Sequence, residues 1–209
     1  MKASDVFLRV KDILQDADAV YWPDAELLRW LNDGRLDAYK LRPDLYEQTE
    51  EMSLVEGFRQ TLPSGSRWLF GVTRNVSSSR QRAITVTDAQ ELGRLRPNWR
   101  SLSKVAEIRH YLYDVRDPSH FDVYPPAKPD VKVEISYAKL PEVVTNTDTE
   151  LTQEGEFSTA LVDYVAYRCF LKEADTVPAF HQRAAQHLQI AQATLTGNVQ
   201  TKVATSPSQ

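Results

Sequence analysis

Cysteine is almost missing from this chain. Cys169 is the only one, so no internal disulfide can form and no cysteine-based zinc site can be built. A lone thiol fits synthesis in a reducing, intracellular compartment. Its place between Arg168 and Phe170 in an apolar helical stretch suits a buried structural group better than a nucleophile. Glycine is scarce too, with 7 residues, and no G-x-G-x-x-G or Walker A loop occurs to cradle phosphates. No G-x-S-x-G elbow appears. No apolar run approaches the ~18 residues of a membrane span, and the start Met1-Lys2-Ala3-Ser4-Asp5 reads as neither signal nor transit peptide. The expectation is a soluble protein with no membrane partner. A basic excess is also lacking: Lys and Arg number 25 against 29 Asp and Glu, for a net charge of −4. That argues against a dedicated duplex-DNA binder or regulator. It does not exclude a surface past which DNA slides without sticking.

What is present is an ordinary globular balance: 209 residues, 42% apolar and 26% charged, enough for one sizeable domain or two small ones. Three zones follow from the hydrophobic periods. In the first, residues 1–50, Ser4 or Asp5 caps a helix with Val6, Val10, Ile13 and Leu14 on one face, and Asp16-Ala17-Asp18 breaks it. Pro23 opens a second helix, with Asp24 and Glu26 at its positive end. Leu27, Trp30, Leu31, Ala38 and Leu41 form its apolar stripe, and Pro43 forces a stop near Arg42. The middle zone, residues 51–140, reads as strands and turns. It has a tight hairpin at Glu56-Gly57, strands over 68–76 and 83–86, and a short helix capped by Thr87 or Asp88. A hairpin over 108–115 and 121–124 follows, then a loop punctuated by Pro125, Pro126 and Pro129, then the alternating strand Val131, Val133, Ile135, Tyr137. The third zone, residues 141–198, holds a helix over 156–174 and another from Pro178. The latter's inward face is small: Ala184, Ala185, Leu188, Ala191 and Leu195. Gly197-Asn198 is a stop signal, which leaves 199–209 as an extended polar tail, disordered when alone. The fold class is α+β: terminal helices packed as a bundle, with the β-rich zone inserted as a separate lobe.

Few constellations point to chemistry, and the reading assigns no catalytic residue, no cofactor and no metal. His110, Asp114 and His120 lie on the proposed hairpin, where they offer a small enzyme or metal site, but their spacing matches no known ligand pattern. His181 and His187 are six apart on a helix and so fall on different faces. The acidic pairs Glu50-Glu51 and Asp16/Asp18 read as solvated faces or caps. One basic cluster stands out: Arg94, Arg96, Arg100 and Lys104 with Trp99 among them. It reads either as a solvated segment or as a patch for nucleic acid or an acidic neighbour, since Trp and Arg concentrate interface energy.

Several phrases, in order, resemble one family. They are Trp22-Pro23-Asp24-Ala25-Glu26-Leu27-Leu28 with Asn32, Arg42-Pro43-Asp44, Gln60-Thr61-Leu62-Pro63, and Val72-Thr73-Arg74-Asn75. Pro97 with Trp99 comes next, then Tyr111, Asp114, Asp117-Pro118, Phe121 and Val123-Tyr124-Pro125-Pro126. The last block is residues 160–168, with Lys172, Asp175 and Arg183-Ala184. The order resembles the head-to-tail adaptor, or connector, proteins of short-tailed bacteriophages and related prophages. Pro23 departs from the pattern, where Thr or Ser commonly follows the first Trp. The resemblance implies a structural virion protein made in the host cytoplasm and placed at the head–tail junction. It implies a homo-oligomeric ring, usually of twelve copies, that joins the portal protein to the tail tube or nozzle. The ring extends the channel for genomic DNA without binding it sequence-specifically. A terminal segment often reaches the portal, and Val199, Gln200, Thr201, Lys202, Val203 and Ala204 are the candidates. Arg94, Arg96, Trp99, Arg100 and Lys104 are candidates for a subunit seam or the channel wall. A tail-completion or stopper protein of the same conduit stands as the alternative.

Overall fold

A computed structural model of the protein describes residues 1–151 and 157–205, with 198–205 as backbone only. Glu156, the expected first residue of the third-zone helix, and the last four tail residues lie outside the described residues. The fold is α+β, and the chain divides into two compact units, residues 1–45 with 141–209 and residues 46–140.

The helical unit contains α1 (Ala3–Leu14), α2 (Asp24–Leu41), α4 (Ser158–Glu173) and α5 (Ala179–Thr205). Its core gathers Val6, Phe7, Val10, Leu27, Trp30, Leu31, Leu161, Val165 and Cys169, all buried. The sequence periods place most of these residues, because each helix turns one apolar stripe inward. Asp5 does not cap α1 in the way expected. It sits one turn in, and its carboxylate accepts from the Lys2 backbone N–H at 2.8 Å. Pro23 is the N-cap of α2, and the helix ends at Leu41, before Arg42. The segment 142–151 forms no helix, yet it is tied down along its length. The Asn32 amide donates to Val144 O at 2.9 Å and accepts from Val144 N at 2.8 Å. Arg35 donates to Glu142 O at 2.6 Å, and Leu151 N donates to Met1 O at 2.7 Å.

One expectation fails at the C-terminus. Gly197-Asn198 does not stop the last helix, because α5 continues to Thr205. Gly197 does not take the left-handed conformation that ends helices. A single interior glycine costs only about 1 kcal/mol, and no proline follows until Pro207. The segment 199–205 is therefore helical and not an extended tail. The small inward face is also narrower than expected: Ala184, Ala191 and Leu195 are buried, while Ala185 is exposed.

The β-rich unit holds two sheets, with strand orders β1-β7-β3 and β2-β6-β5-β4. The strands are β1 (Glu47–Ser53), β2 (Gly57–Thr61), β3 (Ser66–Asn75), β4 (Thr85–Val86), β5 (His110–Tyr113), β6 (His120–Ala127) and β7 (Lys132–Lys139), with α3 (Ala89–Leu95) between β4 and β5. Leu54, Leu69, Val72, Ile108, Phe121, Val123, Val133 and Ile135, drawn from both sheets and their connections, form one core. The expected hairpin at Glu56-Gly57 is not one. β1 pairs with β7 from Glu47↔Ala138 to Ser53↔Lys132, while β2 pairs with β6. The turn is real, with Gly57 at φ 117°, but it carries the chain between sheets. Buried Gln60 holds it, bonding Val55 N at 2.8 Å, Val55 O at 2.9 Å and Gly57 O at 3.2 Å. Pro125 and Pro126 lie within β6 and not in a loop. They lack an N–H to give, but Pro126 O still accepts from Val105 N at 2.9 Å. The β5–β6 hairpin forms as expected, from His110↔Tyr124 to Tyr113↔Phe121. Asp88 caps α3, accepting from Gln90 N at 2.7 Å and Glu91 N at 3.1 Å.

Candidate interaction surfaces

The β5–β6 hairpin does not assemble the histidine site held as the enzyme alternative. His110 lies at one end of the ladder, bonded to Thr85 Oγ1 at 2.7 Å and stacked on Tyr124. His120 lies at the other end, with Asp117 Oδ1 at 2.8 Å from Nδ1. Asp114 is taken by Arg116, through Oδ2 to Nη2 at 2.7 Å. A register of four residues separates the two rings, so His110, Asp114 and His120 share no centre. Among the described residues no group of His, Cys, Asp and Glu side chains gathers that could hold a metal ion. His187 instead bonds Asp163 at 2.7 Å and stacks on Phe170. Cys169 is fully buried, and burial pushes its thiol pKa up, away from the reactive thiolate.

The hairpin tip is an ion-pair cluster with a pH signature. Hydrogen bonds from the Arg116 side chain and then its N–H hold Asp114 down at about 2. The His120 hydrogen bond, with Arg59 nearby, lowers Asp117. Both folded values lie below the ordinary carboxylate value of about 4. Their stabilisation is therefore complete above about pH 4 and is lost as pH falls toward the folded values. The melting temperature of the wild type should drop between about pH 4 and 2, and Arg116→Ala should drop less across the same interval. Equal slopes in a series of thermal melts would exclude the Asp114–Arg116 contribution.

The basic cluster splits into inside and outside. Trp99, in a 3-10 turn after α3, is 1% exposed. It packs with Leu92 and Leu112, with Phe58, Leu102 and Tyr124 around them. Arg100 lies over it, 4.4 Å from guanidinium carbon to ring centroid. Lys104 pairs with Glu56 at 2.6 Å. Arg94 and Arg96 are exposed on and just after α3. Trp99 thus fixes the patch from beneath and is not part of its surface.

A family model described as SU10 adaptor protein matches residues 1–208. The chain belongs to the SU10 adaptor protein family. No curated protein matches it. Family membership makes it a structural adaptor of phage particles and a virion component. No described helix is long and apolar enough to cross a membrane.

An adaptor works through surfaces, and the helical unit of this one holds three features that sequence reasoning missed. The first is Arg42, only 3% exposed. Its Nε and Nη2 fork onto Asp44 Oδ1 and Oδ2, both at 2.7 Å, while Nη1 donates to Leu195 O of α5 at 2.6 Å. The second is Asp16, read as a solvated face or cap but only 6% exposed. Its carboxylate accepts from the N–H groups of Val20 at 2.9 Å, Tyr21 at 3.1 Å and Trp22 at 2.9 Å. The turn before α2 is thus closed around one carboxylate. Asp16→Ala should cost about 2–3 kcal/mol, since it strands three donors that bonded a charged acceptor. Urea titration of the adaptor checks this, and a loss under 0.5 kcal/mol would show that water replaces the carboxylate. The third is an apolar groove of ≈ 210 Å³ between α2, α4 and α5, lined by Gly34, Leu41, Leu161, Tyr164, Leu188 and Leu195 among others. Gly34 makes room for its floor: a Cβ there would stand 2.7 Å from the Tyr164 ring. Tyr164 donates its hydroxyl to Asp37 at 2.9 Å, which fixes the ring in place.

Proposed function

We propose that this adaptor is one subunit of a homo-oligomeric ring, twelve copies in the closed form, seated between the portal and the tail tube or nozzle. The match of the family model over residues 1–208 carries this reading. A ring needs a heterologous interface that closes on itself, and the role is assembly without covalent chemistry. The ring extends the channel through which genomic DNA leaves, and the mildly acidic net charge of −4 suits passage without retention. Arg94, Arg96 and Arg100, with Lys104 beside them, contribute to the subunit seam or the channel wall.

In the same reading the C-terminal segment Val199 to Ala204 engages the portal. Two observations support it. Among the residues whose side chains are described, Leu195 is the last buried one of α5, and the helix continues to Thr205. Leu195, Val199 and Val203 also recur at intervals of four, the spacing by which an amphipathic helix enters a partner's groove.

Imaging of assembled particles tests the ring: an averaged junction with one layer of this chain between portal and tail is expected, and its absence there overturns the reading. Deleting residues 199–209 should leave the helical unit folded, by circular dichroism, and weaken portal association by about tenfold or more. A truncated chain that joins the portal as well as the full-length one removes the segment's role.

A further inference from the structure

Val20 and Tyr21 are 73% and 79% exposed, unusual for a valine and a tyrosine side by side. They do not sit on a loose loop. The Asp16 carboxylate holds the backbone N–H of each, and Trp22 beside them is buried against Trp30 with ring centroids 5.5 Å apart. The result is a preorganised apolar knob that loses little entropy on docking. The same chain carries the open apolar groove between α2, α4 and α5. Knob and groove use opposite ends of α2: the knob precedes Asp24, and the groove begins at Gly34 and reaches Leu41. At 1.5 Å per residue the groove runs from roughly 15 to 25 Å along the helix from its knob end, so a chain cannot fill its own groove.

We infer that the Val20–Tyr21 knob of one copy seats in the α2–α4–α5 groove of the next. This deepens the ring reading and rests on it. Three observations favour a second copy as occupant. A groove of ≈ 210 Å³ is of a size to take one large side chain and part of a second. Two different patches that fit each other on one molecule make a head-to-tail contact, the kind that generates rings. Charge is also matched: Asp18 is exposed beside the knob, and Lys40 on the groove's lip has, among the described residues, only the half-exposed Asp37 as ion-pair partner, at 2.9 Å. That pair adds orientation more than affinity. A tyrosine in a desolvated pocket is the usual form of an interface anchor. It supplies ~200 Å² of the ≈ 800 Å² per partner that a stable contact needs, and exposed Leu41 lies next to it to extend the contact.

Sedimentation velocity on the full chain up to several hundred micromolar tests the contact. The variants are Tyr21→Ser, which removes the knob, and Gln192→Trp, which fills the groove from an exposed lining position. Circular dichroism verifies that both remain folded. The wild type should self-associate, and each variant at least tenfold more weakly. An equimolar mixture of the two should recover a one-to-one dimer and nothing larger, because each retains one competent face. Variants that associate like the wild type overturn this contact and leave the ring reading standing. Weakened variants whose mixture recovers nothing overturn the head-to-tail pairing. A wild type that stays monomeric overturns the contact as well, while the ring is judged separately on particle images.

Discussion

Replacing Arg42 with alanine should destabilise the helical unit by about 2–4 kcal/mol. The side chain is 3% exposed and makes three bonds at 2.6 to 2.7 Å, two to Asp44 and one to Leu195 O. A forked guanidinium–carboxylate pair is among the stronger protein hydrogen-bond arrangements. Removing one member of a fully buried pair costs ~3–5 kcal/mol, mainly by stranding its partner. Asp44 is 41% exposed, so water recovers part of the loss, which sets the lower estimate. The bond to Leu195 O and the packing over the Phe157 ring at 5.4 Å are lost outright. Arg42→Lys should recover less than half, since an ammonium cannot fork onto two oxygens and reach a third acceptor. Denaturant titration followed by helical circular dichroism should show a lower midpoint at unchanged slope. A change below 0.5 kcal/mol would mean the guanidinium is not what ties the end of α2 to α5.

Arg42 also shows which part of this fold was legible. Pro43 gave the end of α2 from local sterics alone, and Trp30 and Leu31 gave its inward face from their period. The use of Arg42 was not legible, because its acceptor at Leu195 lies 153 residues away. The same holds elsewhere. Asn32, Gln60 and Asn75 belong to the phrases that carried the family resemblance, and each is a polar side chain spent on backbone. Asn75, wholly buried, donates to Ile108 O at 2.8 Å and accepts from Ile108 N at 2.7 Å. Such residues look like surface in a sequence, since amides are mostly exposed. Only the finished fold shows the backbone groups that need them. The strand errors have the same origin. Glu56-Gly57 is a sound local turn signal, but β1 found its partner in β7, more than 75 positions along. Local chemistry set the turn, and long-range burial of Leu54 and Ile135 decided which strand paired. Of the candidate interaction residues, exposure of Arg94 and Arg96 agrees with a surface role. Asp16 caps backbone N–H groups, one of its two readings, but its burial was not legible because an exposed and a buried acceptor have the same spelling.

Trp99 is the candidate whose reading the structure changed most, and the largest single loss is expected there. Trp99→Ala should destabilise the β-rich unit by about 3–5 kcal/mol, the range for removing a buried aromatic side chain. At 1% exposure it meets Phe58 edge-on at 5.6 Å and Tyr124 at 6.4 Å. Those rings belong to β2 and β6, so one indole joins the 3-10 turn after α3 to two paired strands. Arg100, exposed above it at 4.4 Å, adds only ~0.5–1 kcal/mol as a cation over a ring. Arg100→Ala should therefore cost no more than about 1 kcal/mol, and Trp99→Phe should be intermediate. Arg94→Ala with Arg96→Ala should leave the isolated chain as stable as the wild type, because neither side chain is buried. The contrast separates a core role from a contact role. If Trp99→Ala melts like the wild type and only assembly suffers, the indole works at an interface after all. If it melts far lower while the double arginine variant does not, the tryptophan holds the patch and the arginines are what the patch presents.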